Sequence, residues 1–341
     1  MNLPWAEELA IDVGTSCLHI SVKHGGVVVR EPAVVAYAET RRKPLAFGLE
    51  ARRMLERAVQ GVRVVHPIRN GVVADFDAAV ALLRHFMHQA LGRRPLLNPI
   101  VVTACPTAAT PVEQRVLQDA IRVAGGGRIL VVQKALAAAI GAGLPLDNIE
   151  THLLVDIGAG ATDMGALSMG LLSAGASPIL AGDRIDEAIV RHVKRTQGIR
   201  ISATTAEEMK IQVGAVDPLL SGSTNGFSTS SDELQAYDVK MDEIPAVVAD
   251  ALAPIYDEIA WLIEQLPPKA RAELAANGIT LAGGTALLKG LSEHMADWLG
   301  VPVRVATDPM SCTILGLQSI VNDMGALSLE GRRFSYAAPA V

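Results

Sequence analysis

Two short runs, half a chain apart, each set a carboxylate at the mouth of a tight glycine-bearing turn. Ala10-Ile11-Asp12-Val13-Gly14-Thr15 is echoed by Leu154-Val155-Asp156-Ile157-Gly158-Ala159. In both places an apolar strand delivers an aspartate, then glycine and small residues. Ser16 and Cys17 follow in the first copy, Gly160 and Ala161 in the second, and each leads into another β segment, His19 to Val22 or Met164 to Leu167. Successive backbone N–H groups in such a turn form a concavity that binds anions. One copy alone reads as a β-hairpin with a polar turn. Two matched copies predict duplicated domains clamping a phosphate chain across one cleft, with Asp12 and Asp156 holding a hydrated magnesium ion. That ion favours a few carboxylates together with phosphate oxygens.

Two further segments could complete a nucleotide site. In Gly278-Ile-Thr-Leu-Ala-Gly283-Gly284-Thr285-Ala286-Leu287 a buried strand runs into a Gly-Gly turn and then a helix, so backbone can approach a flat ligand closely. In Glu207-Glu208-Met209-Lys210, Glu207 and Lys210 share a helix face three residues apart, suited to ribose hydroxyls and adenine edges. Taken singly, the first is a common strand–turn–helix and the second a solvated ion pair. Other nucleotide motifs fail: the chain contains no GxxxxGK[ST], and Gly158-Ala-Gly160-Ala-Thr-Asp163 has an aspartate where a dinucleotide fingerprint needs its last glycine.

The elements that must position these residues alternate between β and α. Residues 9–13, 99–104 and 152–157 read as buried strands. Thr110, Pro111 and Glu113 supply N-cap, N1 and N3 of a helix whose apolar face is Val112, Val116, Leu117, Ala120 and Ile121, ending at Gly125 to Gly127. A long helical region is expected from about Asp242 to Asn277, broken at Pro267-Pro268, and Ser221 to Ser231 reads as a surface loop. The pattern is α/β.

Composition narrows the function. The 341 residues are 50% apolar and 19% charged, enough for two domains with substantial cores. Aromatics at 4% and a net charge of -6 argue against a nucleic-acid partner, which recruits basic and base-stacking surfaces. Cys17, Cys105 and Cys312 are scattered, so neither a zinc site nor a disulfide framework is expected and a cytoplasmic setting fits. The N-terminus shows no secretory pattern, and the eight histidines show no ligand spacing.

In this order the four glycine and Glu/Lys elements resemble the phosphate and adenosine motifs of the actin, sugar-kinase and heat-shock-chaperone superfamily. Segments outside the pocket sharpen the resemblance to the MreB family of bacterial actins. They are Glu31-Pro-Ala-Val-Val-Ala36, Gly71-Val-Val-Ala-Asp-Phe76, Ala137-Ala-Ala-Ile-Gly-Ala-Gly-Leu-Pro145, Gly182-Asp-Arg-Ile-Asp-Glu-Ala188 and Pro302-Val-Arg-Val-Ala-Thr-Asp-Pro309. The resemblance implies an actin-like fold: two duplicated α/β domains around a central nucleotide cleft, each with a smaller peripheral subdomain. Domain I would span 1–147, with 313–341 returning to it and a subdomain at about 32–65. Domain II would span 148–312, with a subdomain at about 182–245. ATP or ADP with Mg2+ would fill the cleft, contacting Asp12, Gly14, Thr15, Ser16, Cys17, Gly158, Ala159, Gly160, Ala161, Glu207, Lys210, Gly283, Gly284, Thr285 and Ala286. The chain would polymerise with itself, lie at the inner face of the cell membrane and serve cell shape alongside the wall-elongation machinery.

Departures from the family pattern are specific. MreB proteins usually carry Glu-Glu-Pro before the alanine-rich helix, the second glutamate activating the attacking water; here the sequence is Gln133-Lys134-Ala135. A protonated ammonium accepts no proton from water. Ala161 replaces the usual threonine of Gly-Gly-Gly-Thr-Thr, leaving Thr162, and Cys17 stands in place of asparagine. The expectation is nucleotide binding with weakened hydrolysis, Lys134, Gln133 and Thr162 being the residues at the reaction centre. A non-hydrolysing adaptor or organelle-positioning filament of the magnetosome type is the alternative. A small-molecule kinase on the same fold would need a carboxylate for a substrate hydroxyl, and no such motif is present. Leu96 and Leu97, beside Arg93 and Arg94, fit either a membrane-inserting loop or a cap on the core.

Overall fold

The computed structural model describes residues 7–39, 43–57, 59–92, 97–213, 216, 227–230 and 236–330. Chain order opens with β1 (Glu8–Val13), β2 (Cys17–Val22) and β3 (Gly26–Pro32), an antiparallel meander. A small three-stranded sheet follows, from β4 (Val35–Ala38), β5 (Pro44–Phe47) and β6 (Val62–Val65), with α1 (Gly48–Glu56) against it. The hairpin β7 (Ile68–Arg69) and β8 (Val72–Val73) leads to α2 (Phe76–Leu91), capped by the Asp75 side chain on the Ala78 N–H. Strands β9 (Ile100–Cys105) and β10 (Ile129–Gln133) then join β1 in parallel, giving the order β10-β9-β1-β2-β3. Between them lies α3 (Pro111–Ala124), and α4 (Lys134–Gly141) springs directly from the end of β10.

The second half repeats this scheme. Strands β11 (His152–Ile157), β12 (Thr162–Ser168) and β13 (Leu171–Ala176) form the meander. Helices α5 (Gly182–Gln197) and α6 (Ala203–Val213), the hairpin β14 (Phe227–Ser230) and β15 (Ala236–Val239), and helices α7 (Ile244–Glu264) and α8 (Pro268–Asn277) come next. Parallel strands β16 (Ile279–Ala282) and β17 (Val303–Val305) flank α9 (Leu291–Leu299) and complete the order β17-β16-β11-β12-β13. Strand for strand, the two sheets have one topology. The central strands β9 and β11 are buried at every position, covered on both faces, which is why they read as unbroken apolar runs.

Helix α10 (Cys312–Glu330) returns to the first sheet, packing on β1 and β9, and crosses α4. The two helices approach at backbone distance. A side chain on Gly316 would collide with the Ala137 carbonyl, and one on Gly141 with that of Cys312. Glycine is needed at both positions because any Cβ would push the helices apart.

Several local expectations need correction. The capping box of α3 is present, with Thr110 and Glu113 exchanging bonds, yet Val112 is 71% exposed. It lies in the first turn, and the buried face is Leu117, Ala120, Ile121 and Ala124. Phe227 to Ser230 are a strand rather than loop, because they find a partner in Ala236 to Val239; residues 221–226 and 231 lie outside the described set. After Gly283 the chain makes one 3-10 turn, Gly284–Leu287, rather than an α-helix. Leu96, Arg93 and Arg94 also lie outside the described residues, while Leu97 is exposed.

Candidate functional site

Each β-meander offers its first turn to the same space. The Gly14 N–H donates to the Cys17 carbonyl at 2.9 Å, and the Gly158 N–H donates to that of Ala161 at 3.1 Å, so the two turns close alike. The N–H groups of Ala159, Gly160 and Ala161 find no acceptor among the described residues. The turns also meet. A Cβ on Gly160 would come within 2.6 Å of Thr15 Oγ1 and 2.9 Å of the Asn70 nitrogen, and the Gly71 N–H donates to Thr15 Oγ1 at 3.0 Å. Gly160 therefore has no room for a side chain, and the β7–β8 turn braces the contact.

The duplicated aspartates have different partners across their ladders. Asp12 stands opposite His19, with 3.6 Å between carboxylate and ring nitrogen. Asp156 stands opposite a second carboxylate, Asp163. Like charges directly opposed on adjacent strands destabilise a sheet. Here the charge is met by Lys134, whose ammonium lies 3.3 Å from Asp156 and 3.9 Å from Asp163. Lys134 is the first residue of α4, where a cation opposes the helix dipole, so the carboxylates offset an otherwise unfavourable placement. Burial would lower its pKa, but Asp156, Asp163 and Asp12 together raise it, and the ammonium stays protonated.

Neighbouring hydroxyls and amides fix this cage. The Thr313 hydroxyl on α10 donates to Asp156 Oδ2 at 3.2 Å. The Thr107 N–H and the Ser177 hydroxyl both donate to Asp163 Oδ1, at 2.7 and 2.6 Å. Thr107 in turn accepts from the Ala135 N–H at 3.1 Å, holding the start of α4. Burial pushes the Asp156 carboxyl up while Lys134 pulls it down.

Across the second half, Lys210 reaches Asp186 at 2.8 Å and donates to the Gly182 carbonyl at 3.3 Å. Burial pushes Asp186 up to about 6 against the pull of Lys210. Glu207 accepts instead from Arg52 of α1 at 3.0 Å, an ion pair between the two halves. Gly283 adopts φ 85°, and a Cβ there would strike the end of β11, so only glycine lets this turn approach Asp156. Gly284 beside it faces open space, and the Thr285 hydroxyl donates to the Gly158 carbonyl at 3.4 Å.

Some expected residues sit elsewhere. Thr162 is wholly buried with its hydroxyl on the Leu180 carbonyl, so it supports the turn instead of facing the cleft. Ala286 is turned into the core. Gln133 is exposed and caps α4 without a side-chain bond. Cys17 is half-buried, and burial raises its thiol pKa. Sequence reasoning passed over Asp163, Thr107, Thr313, Asp186 and Arg52. For Asp163 a signal existed: its distance from Asp156 equals that of His19 from Asp12.

The carboxylates expected to hold magnesium can now be tested against that role. Asp156 is 4% exposed and already carries an ammonium and a hydroxyl on one oxygen. Asp12, the other expected partner, adds to the pull on the same ammonium. The residues present do not fit a divalent ion at this position while Lys134 stands there.

Two sheets of one topology, each turning a glycine loop into a shared cleft, define an actin-like fold. The MreB/Mbl protein family model matches residues 6–328, and the chain belongs to that family. The cell shape-determining protein Mbl of Bacillus subtilis (strain 168) is 34% identical over 326 residues, covering 95% of this chain and 98% of that protein. The crystal structure of MreB 5 of Spiroplasma citri bound to AMPPNP has a TM-score of 0.87 at 28% identity, covering 96% of this chain and 99% of that one. The MamK double helical filament has a TM-score of 0.78 at 21% identity, covering 92% and 98%, a likeness of fold alone.

Proposed function

We propose that this chain is a nucleotide-binding bacterial actin that assembles into filaments and acts in cell-shape determination or as a cytoskeletal scaffold. The observation that carries the reading is the facing pair of turns, one of which holds three N–H groups with no acceptor among the described residues where it meets the other half at Thr15. Such a concavity suits the phosphates of ATP or ADP, and the related MreB 5 was crystallised with AMPPNP. Gly14, Thr15, Ser16 and Gly158 to Ala161 flank the phosphates; Gly284, Thr285, Glu207 and Lys210 flank the nucleoside. The working halves are residues 1–147 with 313–341, and 148–312.

Self-association follows from the family and from the filament formed by the similarly folded MamK. Turnover is slow, because Lys134 is held protonated where the family resemblance places the water-activating carboxylate. No helix among the described residues is long and apolar enough to cross a membrane. A peripheral position at the inner face of the cell membrane would rest on the loop at Leu96 and Leu97, of which Leu97 is 39% exposed, and would bring the filament beside the wall-elongation machinery. Sedimentation and negative-stain imaging test assembly. Pelletable, two-stranded or paired protofilaments with ATP are expected; monomers across protein, salt and lipid concentrations would refute the reading.

A further inference from the structure

We infer that the ammonium of Lys134 is a built-in counter-cation of the phosphate site, standing in for a divalent ion, so that a nucleoside triphosphate binds this chain without magnesium. The inference rests on the nucleotide reading of the cleft and adds to it a cation requirement. Three observations carry it. The Asp156 and Asp163 carboxylates, opposed across one ladder, converge on a single cation that the chain itself supplies, 3.3 and 3.9 Å away. Both carboxylates are locked by further donors, Thr313 on one and Thr107 with Ser177 on the other, so neither is free to swing toward a metal. The ammonium also lies beside the phosphate-facing turn: a Cβ on Gly158 would be 3.9 Å from its nitrogen.

Charge decides between the two cations. A dication brought to these carboxylates would face a fixed positive charge at close range in a site of low exposure, where screening is weak. Lysine avoids that repulsion and presents three donors. One goes to Asp156 at 3.3 Å, Asp163 at 3.9 Å acts through charge alone, and the remaining donors are available for phosphate oxygens at the Gly158 turn. The helix start that positions it is pinned by the Thr107–Ala135 bond, so the cation is held on a rigid element rather than on a loop.

The test is ATP affinity by calorimetry, in EDTA and in millimolar magnesium, with the full chain kept below its polymerising concentration. The wild type is expected to bind in EDTA within about threefold of its affinity in magnesium. Lys134→Gln should lose at least about tenfold in EDTA, one lost charge-assisted contact being worth roughly that much, and recover part of it with magnesium. Lys134→Arg keeps the cation and should remain magnesium-independent, which covers the case in which the glutamine variant does not fold. A tenfold or greater loss of wild-type affinity in EDTA overturns this inference alone. No ATP binding in either buffer overturns the nucleotide reading together with it.

Discussion

Arg52 and Glu207 join the two halves of the molecule: a guanidinium nitrogen of α1 lies 3.0 Å from a carboxylate oxygen of α6. Each side chain is 31% exposed, so solvent screens the pair and its own contribution to stability is at most about 1 kcal/mol. Its consequence lies in competition. Glu207 cannot serve both Arg52 and a ribose hydroxyl at full strength. Arg52→Ala should therefore tighten ATP binding by a few-fold, up to about fivefold, while Glu207→Ala weakens it. Calorimetry on the two single variants and the double variant checks this. Weaker binding by Arg52→Ala would mean that Arg52 itself contacts the nucleotide.

The Lys134 cage predicts a folding cost. Lys134→Met would leave Asp156 facing Asp163 across a buried ladder with no intervening cation. Removing one partner of a buried pair costs about 3–5 kcal/mol. Urea denaturation should show a loss of that order. Lys134→Met with Asp163→Asn should recover a large part of it, since one charge of the opposed pair is then gone. An additive double variant would show that the two groups are not coupled.

A pH signature follows from Asp186. Burial first, against the opposing pull of Lys210, raises its carboxyl from 3.8 to about 6 in the folded chain. Between those values the folded state binds more protons than the unfolded one, so this group's contribution to stability falls as pH rises from about 4 to about 6. Below that window the penalty is absent; above it the penalty is complete, on the order of 3 kcal/mol. Asp186→Asn should flatten the pH dependence of the urea midpoint across the window relative to wild type. Parallel curves for the two proteins would refute the assignment.

Much of the fold was legible because it is repeated. The Asp-Gly echo marked the two turns, and the apolar runs at 9–13 and 152–157 are strands buried in matching places of matching sheets. What escaped was the content of the cage. Asp163 was visible only as a failure of a dinucleotide motif, since its meaning depends on ladder register and on a helix start contributed from another strand. Thr313 and Arg52 were invisible for a related reason: each reaches its partner across more than 150 residues of chain, at |i−j| of 157 and 155. Lys134 was legible as a departure, yet its setting among carboxylates emerges only from packing. Gly141 and Gly316 looked like ordinary small residues until two helices met there.

Phosphate release from ATP-assembled polymer, measured alongside sedimentation, addresses the central claim most directly. Wild-type protein should pellet with ATP yet release phosphate far more slowly than Lys134→Glu does in the presence of magnesium. General-base assistance is worth ~10²–10⁴-fold, and that is the difference expected between the two. The glutamate variant's filaments should be correspondingly short-lived. Wild-type polymer that releases phosphate as fast as the Lys134→Glu variant, with filaments of equal lifetime, would contradict the account.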